Sequence, residues 1–417
     1  MNNLRIFSIA TLVCACLPTF CVNAQQWDRF RGPNGTGVSL DSSLPTQWKE
    51  SDYEWTVELD GDGSSSPVVW DNKLFLLSAT DSAAIHLQCL DLESGDENWV
   101  TVYESAAYKI HVQNSFASST PAVDAEHVYI TYADPDNTML VALNHDGEEV
   151  WKRNFGPWVS QHGFGTSPVV VGDLVIFFNS QQAERLKPGQ KAGKSEMIAV
   201  NRNNGEDVWR CPLTATRSCY TVPAVHKSEG QPDQLIGCNT GDGFFSIDLE
   251  TGQRNWSESV FGKRTVASTL LADGMAFGSS GSGGGGNVLV AAKVKQDGIE
   301  KAYEINRSAN YVPSPLAVGE LLFLFGDKGV VTCVDLKSGT EHWRQRVGRG
   351  FSGSGVANAT HVYCIDAKGT CYVIRASEKF ELVSANDLGE SSRATPTIVG
   401  NRLLLRTNSH LISLKGS

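Results

Sequence analysis

Short runs of apolar and polar residues repeat the same layout along most of this chain. Each repeat opens on a brief apolar run, passes a turn, and continues with a run rich in β-branched and aromatic residues, as at Phe323–Phe325 and Val330–Val334. Runs of about four to eight such residues between Gly, Asn and Asp turns are typical of β-strands. The layout therefore predicts units of four strands each.

Most units open on a Ser-Pro or Thr-Pro step and close on a motif of Asp or Asn, then Gly, then Trp four residues later. One copy reads Asp91-Leu-Glu-Ser-Gly95-Asp-Glu-Asn-Trp99, and the copies end at Trp99, Trp151, Trp209, Trp256 and Trp343. The first four lie 52, 58 and 47 residues apart, and the last gap of 87 has room for two units. One turn and one aromatic residue per unit of this length predict the blade of a β-propeller.

The number of blades depends on two degenerate units and on the chain ends. Unit five has Tyr303 one residue beyond its expected Trp position, and unit seven has Arg375 at the Asp position and Val383 at the Trp position. The last unit opens at Thr395-Pro396 and ends after three strands, so that residues 53–59, which include Trp55, would supply the fourth. The sequence predicts an all-β, eight-bladed propeller of four-stranded antiparallel blades at residues 53–417, closed by an N-terminal strand. Seven blades would require discarding a degenerate unit.

The repeated motif has a structural interpretation. An Asp or Asn side chain caps the turn, and the Gly adopts the positive φ that the turn needs. Each large indole ring would then be buried between neighbouring blades. The predicted docking residues are Trp55, Trp99, Trp151, Trp209, Trp256 and Trp343. The acidic residue recurs in equivalent places, which indicates a structural role rather than that of a catalytic base. The sequence therefore predicts no catalytic residue.

Residues 1–24 have the pattern of a signal peptide. Arg5 precedes a mostly apolar stretch from Ile6 to Phe20, and Val22-Asn23-Ala24 forms a small-residue cleavage site. We expect export and cleavage after Ala24, with residues 25–52 as an N-terminal extension. A lipid anchor on Cys16 or Cys21 is the alternative.

Charge and cysteine content narrow the classes of function. Removal of Arg5 with the signal leaves 34 basic against 46 acidic residues, a net charge of −12. So acidic a chain, without a Lys/Arg cluster, should not bind nucleic acid. Seven cysteines remain, and Cys364 and Cys371 flank a turn, so we expect them to face each other across a hairpin. The sequence is compatible both with a disulfide between them and with two buried free thiols.

The Asp-x-x-Thr/Ser-Gly-x-x-x-Trp pattern resembles the repeat of the pyrroloquinoline-quinone (PQQ) propeller superfamily. That superfamily includes quinoprotein alcohol dehydrogenases and the non-catalytic propeller lipoprotein of the outer-membrane β-barrel assembly machinery. The resemblance covers nearly the whole chain after residue 24. The stretch Trp27-Asp-Arg-Phe-Arg31-Gly-Pro-Asn-Gly-Thr-Gly37 is similar to exported PQQ-like propellers of planctomycete-type bacteria, a family that implies no particular activity.

The comparison with the dehydrogenases fails at the residues that carry their chemistry. Their adjacent Cys-Cys pair and the Cys-x-x-Cys-His motif for covalent haem are absent from this sequence. No acidic residue and Asn align with the Ca²⁺ ligands of the quinone site. The resemblance therefore predicts no cofactor and no metal site, and PQQ with Ca²⁺ remains the alternative.

Loops that enter the innermost strands of a propeller surround the mouth of its central channel, where ligand sites are common. Residues just upstream of the opening steps are therefore candidates for a site: His162, Tyr220, Arg264, Asn310, Tyr311 and Arg393. Arg and Tyr side chains on one rim would suit an anionic or hydroxyl-rich ligand. The alternative is that they are ordinary loop residues that satisfy turn carbonyls. The run Gly281–Gly286 predicts a hairpin loop rather than a phosphate site, and residues 184–194 predict a polar surface flap.

These observations favour an exported, non-enzymatic binding propeller of the cell envelope, a monomer whose partner is an envelope protein or a carbohydrate. A PQQ-dependent oxidoreductase of alcohols or sugars is the alternative function, with Arg264 or Arg393 polarising the quinone.

Overall fold

The computed structural model describes residues 26–40 and 43–416, so the predicted signal peptide lies outside the described residues. Strand β1 (Trp55–Glu58) comes first in the chain. The next blades follow in sequence order, each an antiparallel four-stranded sheet. Blade 1 contains β2 (Val68–Trp70), β3 (Lys73–Ala79), β4 (Ile85–Asp91) and β5 (Glu97–Tyr103); blade 2 contains β6 (Ala122–Val123), β7 (His127–Ala133), β8 (Thr138–Asn144) and β9 (Glu149–Asn154); blade 3 contains β10 (Val169–Val171), β11 (Leu174–Asn179), β12 (Ser195–Asn201) and β13 (Asp207–Leu213).

The second half of the ring repeats the layout. Blade 4 contains β14 (Ala224–His226), β15 (Gln234–Asn239), β16 (Gly243–Asp248) and β17 (Arg254–Glu258); blade 5 contains β18 (Leu270–Ala272), β19 (Met275–Ser280), β20 (Val288–Lys295) and β21 (Gly298–Ile305); blade 6 contains β22 (Leu316–Val318), β23 (Leu321–Phe325), β24 (Val330–Asp335) and β25 (Glu341–Arg346); blade 7 contains β26 (Val356–Ala357), β27 (His361–Ile365), β28 (Thr370–Arg375) and β29 (Leu382–Asp387). Blade 8 joins β30 (Thr397–Val399), β31 (Arg402–Arg406) and β32 (His410–Lys415) to β1.

The eight-bladed fold is thus confirmed, including its closure by an N-terminal strand. Strand β1 pairs with β32 from Trp55 opposite Ser413 to Glu58 opposite His410. Two 3-10 turns, Pro33–Gly35 and Glu50–Asp52, are the helical elements within the described residues. No helix in this part of the chain is long and apolar enough to cross a membrane.

A β-bulge sets the position of the inter-blade aromatic residue. In blades 1 to 7 the fourth strand shifts register against the third. In blades 1 to 6 the residue just before the shift lies opposite the aromatic residue, as Cys333 does opposite Trp343 and Ala291 opposite Tyr303. Tyr303 therefore occupies the same register position as the tryptophans, and the expected offset of one residue is wrong. In blade 7 the equivalent residue is Ser384, opposite Val373, rather than Val383.

At that position the ring lies against the turn of the next blade. The Trp99 indole N–H donates to the carbonyl of His145 at 3.0 Å, and a Cβ at Gly147, where φ is +87°, would lie 2.8 Å from its ring. The same contact is made by Trp55, Trp151, Trp209 and Trp343, whose N–H groups donate to carbonyls at 2.8 to 3.2 Å. The Tyr303 hydroxyl donates to Leu336 at 2.7 Å in the same way. The buried Trp256 indole N–H has no partner among the described residues.

The Ser/Thr residue of the opening step links the inner strands of neighbouring blades into two arcs. The backbone N–H of one opening residue donates to the hydroxyl of the next, at 2.9 to 3.1 Å. The links run from Ser66 to Thr120 to Ser167, and from Val222 to Ser268, Ser314, Ser354 and Thr395. The buried hydroxyl of the Ser/Thr-Pro step accepts a hydrogen bond from the neighbouring blade, which explains why the step is repeated. The sequence pattern alone did not reveal this role.

Residues 26–40 lie across one end of the channel; we call this segment the plug. Trp27 forms a bridge with Val69 of blade 1, and Val38 forms a parallel bridge with Ala357 of blade 7. Between them, the Arg29 guanidinium donates to the Pro223 carbonyl and that of Arg31 to the Pro315 carbonyl, each at 2.7 Å. The plug therefore ties the inner strands of distant blades together.

The segment that follows the plug covers the junction of blades 7 and 8, where no aromatic residue occupies the bulge position. The Ser384 hydroxyl donates to the Thr46 carbonyl, and the Trp48 N–H donates to the Asn386 side chain at 3.1 Å. The buried Trp48 ring belongs to the hydrophobic cluster that Val383 packs against. The N-terminal segment thus supplies an aromatic ring where the repeat has none.

The expectation that Cys364 and Cys371 face each other is wrong. Cys371 pairs with Ile365, whereas Cys364 pairs with Tyr372, so the two thiols lie on opposite faces of the sheet. Both are buried free thiols.

Candidate functional site

A cavity of about 380 Å³ occupies the channel mouth, where the inner strands begin, and Phe30 of the plug forms part of its wall. All eight blades contribute a residue that lies at or just before an inner strand. These are Ser64, Ser118, Ser167, Val222, Ser268, Ser314, Ser354 and Thr395. Longer loops add the larger side chains of the wall. The blade repeat thus produces a circular, hydroxyl-rich wall on which a few loops place specific groups.

Five of the six predicted site residues line this cavity: His162, Tyr220, Arg264, Tyr311 and Arg393. The sixth, Asn310, does not line it. Its side chain is fully buried and donates to the Ser279 hydroxyl at 3.1 Å and the Pro313 carbonyl at 2.6 Å. The structure therefore gives Asn310 a role in holding its loop rather than in contacting a ligand.

Arg264 is the most unusual side chain of the cavity. It is only 4% exposed, and its Nε and Nη2 atoms have no hydrogen-bond partner within the described residues. Its backbone is fixed by a bridge to Gly281, whose N–H donates to the Arg264 carbonyl at 2.9 Å. Unpaired donors on a buried guanidinium are costly, because they have lost water without gaining an acceptor. The Tyr311 hydroxyl lies close enough to hydrogen-bond the guanidinium, but Nε and Nη2 stay unpaired in the cavity wall.

Two further arginines, Arg217 and Arg393, share the lining. Burial lowers the pKa of Arg217, and the nearby cations Arg185 and Arg264 lower it further. Burial also lowers the pKa of Arg393, which donates to the Ser352 hydroxyl at 3.1 Å. The lining includes no Asp or Glu among the described residues. The cavity is therefore cationic, although the chain as a whole has a net charge of −11.

His162 stays neutral at neutral pH. Burial, with Arg264, His111 and Arg217 nearby, lowers its pKa from 6.5 to about 4. Its ring lies 5.0 Å from the His111 ring, edge to face, and its carbonyl accepts a hydrogen bond from Asn114 at 2.8 Å. Gly163 makes this close approach possible, because a Cβ there would lie 2.5 Å from the Asn114 amide. A base of such low pKa is poorly matched to proton abstraction near pH 7.

The tyrosines contribute aromatic faces beside the cations. Burial raises the pKa of Tyr220 to about 12, and its hydroxyl lies 3.0 Å from the Ser160 hydroxyl. Burial also raises the pKa of Tyr311, against the opposing charge of Arg264. Both phenols are therefore neutral donors or acceptors at physiological pH.

Several lining residues were missed as site candidates. Phe30 reaches the cavity from the plug, and Gly281–Gly283 form part of the wall. The glycine run was interpreted only as a hairpin loop, and nothing in the sequence placed residue 30 inside the ring. Arg217 is not among the missed residues, because its position upstream of an opening step already places it on the rim with Tyr220. The same signal could have found His111.

The lining does not fit a quinone held with Ca²⁺. Such a cation needs carboxylate and carbonyl oxygens, and the lining carries three guanidinium groups and no carboxylate in the part of the chain that the structure describes. No group of three or more His, Cys, Asp or Glu that could hold a metal ion occurs among residues 26–40 and 43–416. The donor set favours anions over cations.

The fold is an eight-bladed β-propeller, and its repeat resembles that of the PQQ-like type. A family model described as outer membrane protein assembly factor BamB matches residues 327–416. BamB of Burkholderia pseudomallei is 31% identical over 102 residues, which cover 24% of this chain. The match spans about a quarter, 26%, of that relative's length. These matches, with the fold, support a PQQ-like propeller family for this chain.

Solved structures agree at the level of the fold. BamB from Moraxella catarrhalis superposes with a TM-score of 0.61 at 14% identity, over 87% of this chain and 96% of that one. Quinohemoprotein alcohol dehydrogenase from Comamonas testosteroni gives a TM-score of 0.66 at 13% identity, over 94% of this chain and 81% of that one. Because one of these proteins is named for assembly and the other for catalysis, the shared propeller does not identify an activity.

Proposed function

We propose that the protein is a non-catalytic propeller of the cell envelope that binds an anionic ligand in the cavity at the channel mouth. The observation that carries the proposal is Arg264, a buried guanidinium whose Nε and Nη2 donors have no partner within the described residues. A carboxylate or phosphate placed there would accept both hydrogen bonds and neutralise the charge. The partial matches to BamB support an envelope location and a protein whose role is binding.

The wall supports recognition rather than turnover. Arg217 and Arg393 add positive charge, whereas the neutral His162 and the phenols of Tyr220 and Tyr311 offer polar and aromatic contacts. A reaction on an alcohol would require a base of suitable pKa and a cation to polarise the acceptor. The arginines of the cavity supply cations, but none of its described side chains is a base of suitable pKa.

The first prediction is that Arg264→Met stabilises the free protein and abolishes binding. Loss of an unpaired buried charge should raise the free energy of unfolding by about 1 kcal/mol. Unfolding temperatures of the wild type should rise with added D-galacturonate or inorganic phosphate, and those of the variant should not. Arg346→Met, which removes an exposed cation from the outer strand of blade 6, is the matched control and should leave probe binding intact.

Two results would overturn the proposal. One is equal stabilisation of wild type and Arg264→Met by the anions. The other is a bound quinone spectrum, with dye reduction by alcohols or sugars, after PQQ and Ca²⁺ are added to the purified protein.

A further inference from the structure

The insertion between β11 and β12 places four cations on the surface beside the cavity. We call residues 184–194 the basic flap. It carries Arg185, Lys187, Lys191 and Lys194, all exposed, against a single acidic residue, Glu184. None of the four cations forms an ion pair within the described residues, whereas most lysines on the outer strands of blade 5 pair with Glu300 or Glu304. In an acidic protein, so many unpaired cations in one short segment indicate a surface for a polyanion.

The basic flap is continuous with the cavity. The backbone N–H groups of Ala183 and Glu184 both donate to the Thr216 carbonyl, at 3.1 and 3.0 Å, and the next residue, Arg217, lines the cavity. Arg185 lies close enough to Arg217 to affect its pKa. Burial is the largest cause of the lowered pKa of Arg217, and the positive charge of Arg185 is the next. Cationic side chains therefore extend from Arg264, through Arg217, to Arg185 of the flap, and Glu184 partly offsets their charge beside Arg217.

The uncharged part of the wall indicates what carries the negative charges. Seven of the eight inner-strand positions around the cavity are Ser or Thr. Hydroxyl and amide groups can exchange hydrogen bonds with a polyhydroxylated ligand. The rings of Tyr220, Tyr311 and Phe30 add aromatic faces, whose negative potential attracts the polarised C–H groups of a sugar ring. Cations, hydroxyls and aromatic faces together match an acidic sugar, which presents carboxylates, hydroxyls and C–H faces on one framework.

We infer that the ligand is an acidic oligosaccharide of the uronate type, with one end in the cavity beside Arg264 and the remaining units along the basic flap. The inference rests on the proposed function and names its ligand class. It adds two requirements that a small anion does not meet: a sugar framework and a length beyond one unit.

The test compares D-galacturonate with its trimer and hexamer by isothermal titration calorimetry on the full chain. Affinity should rise roughly tenfold or more from monomer to hexamer, because flap contacts become intramolecular once the end is held. Lys187→Gln/Lys191→Gln/Lys194→Gln should lose that gain and retain monomer binding. Lys293→Gln/Lys295→Gln/Lys301→Gln removes the same charge from blade 5 and is the matched control, which should keep the gain.

The outcomes separate the two proposals. Arg264-dependent binding of the monomer with no gain for the hexamer overturns the inference and leaves the proposed function standing. A neutral hexamer of galactose that binds as tightly as the acidic one overturns it as well. A poly-glutamate peptide that shows the length dependence, with no binding of the hexauronate, overturns it in favour of an acidic protein. No binding of any anion probe rejects the proposed function itself.

Discussion

At the scale of single residues, the inter-blade aromatic rings differ in whether their polar group has an acceptor. Trp343 donates to the Ser377 carbonyl at 3.0 Å, whereas the Trp256 N–H has no partner among the described residues. Both rings are 7% exposed. The difference follows from blade 5, where β20 ends at Lys295 and β21 begins at Gly298, so that the turn is too short to present the usual carbonyl.

Phenylalanine at these two positions should therefore have unequal effects. Trp343→Phe keeps most of the apolar contact and loses a hydrogen bond, and we expect it to lower the free energy of unfolding by about 1 kcal/mol more than Trp256→Phe. Equilibrium unfolding in urea measures both values. Equal losses would show that the indole hydrogen bond contributes nothing to docking.

The low pKa of His162 predicts a loss of stability in acid. Its pKa is 6.5 in an ordinary environment and about 4 in the folded protein. As the pH falls below 6.5, the unfolded chain binds this proton first, so the free energy of unfolding should fall until the pH reaches about 4. His162→Gln removes the group and should lose less stability than the wild type between pH 7 and acid, measured by urea unfolding. Identical pH dependence would contradict the assignment.

The positions of rim residues could be predicted from the sequence where the repeat carries the signal. Five rim residues were identified because they precede the opening steps, as His162 and Arg393 do. Asn310 does not line the cavity. Adjacent residues of one loop can point either into the channel or into the blade, and the sequence pattern does not distinguish these two directions. The buried, unpaired state of Arg264 depends on packing between blades, which no local signal encodes.

At the scale of strands, β1 and the plug have separable roles although they are neighbours in sequence. Strand β1 covers the edge of β32, and the plug binds the inner strands. Deletion of residues 26–52 removes the plug and Trp48, and we expect soluble protein of reduced stability. Deletion of residues 26–59 also exposes the β32 edge, and we expect aggregation, since an unpaired edge strand binds other chains. Size-exclusion chromatography with light scattering distinguishes the two products.

A monomeric, cooperatively unfolding product from the longer deletion would contradict the role assigned to β1. Aggregation of both products would mean that the plug, rather than strand pairing, keeps the ring closed.

Element-level prediction from the sequence was limited by the bulge. Counting residues from the turn put Tyr303 one position beyond the aromatic site and selected Val383 instead of Ser384. The count cannot show where the bulge shifts the fourth strand against the third. The same limit applied to Cys364 and Cys371, where flanking one turn did not imply sharing one face. The plug has neither strand alternation nor a repeat, so its place in the channel could not be derived.

At the scale of the whole molecule, charge is segregated. The chain carries 46 acidic residues, yet the described lining of the cavity has none and holds three arginines. Such an arrangement concentrates positive potential in a concave, low-dielectric site, where field lines are focused. Under the proposed function, the mouth would attract the anions that the acidic exterior repels.

The pairing of β1 with β32 also sets the order in which the molecule can fold. Residues 55–58 leave the ribosome long before residues 410–415, and the strand that completes the ring must wait for nearly the whole chain. Contacts of such large sequence separation make assembly slow, because loop closure precedes any gain from pairing. Until then the first blade and the last remain unlinked, and a premature stop anywhere upstream of β32 yields an open arc of blades rather than a smaller ring.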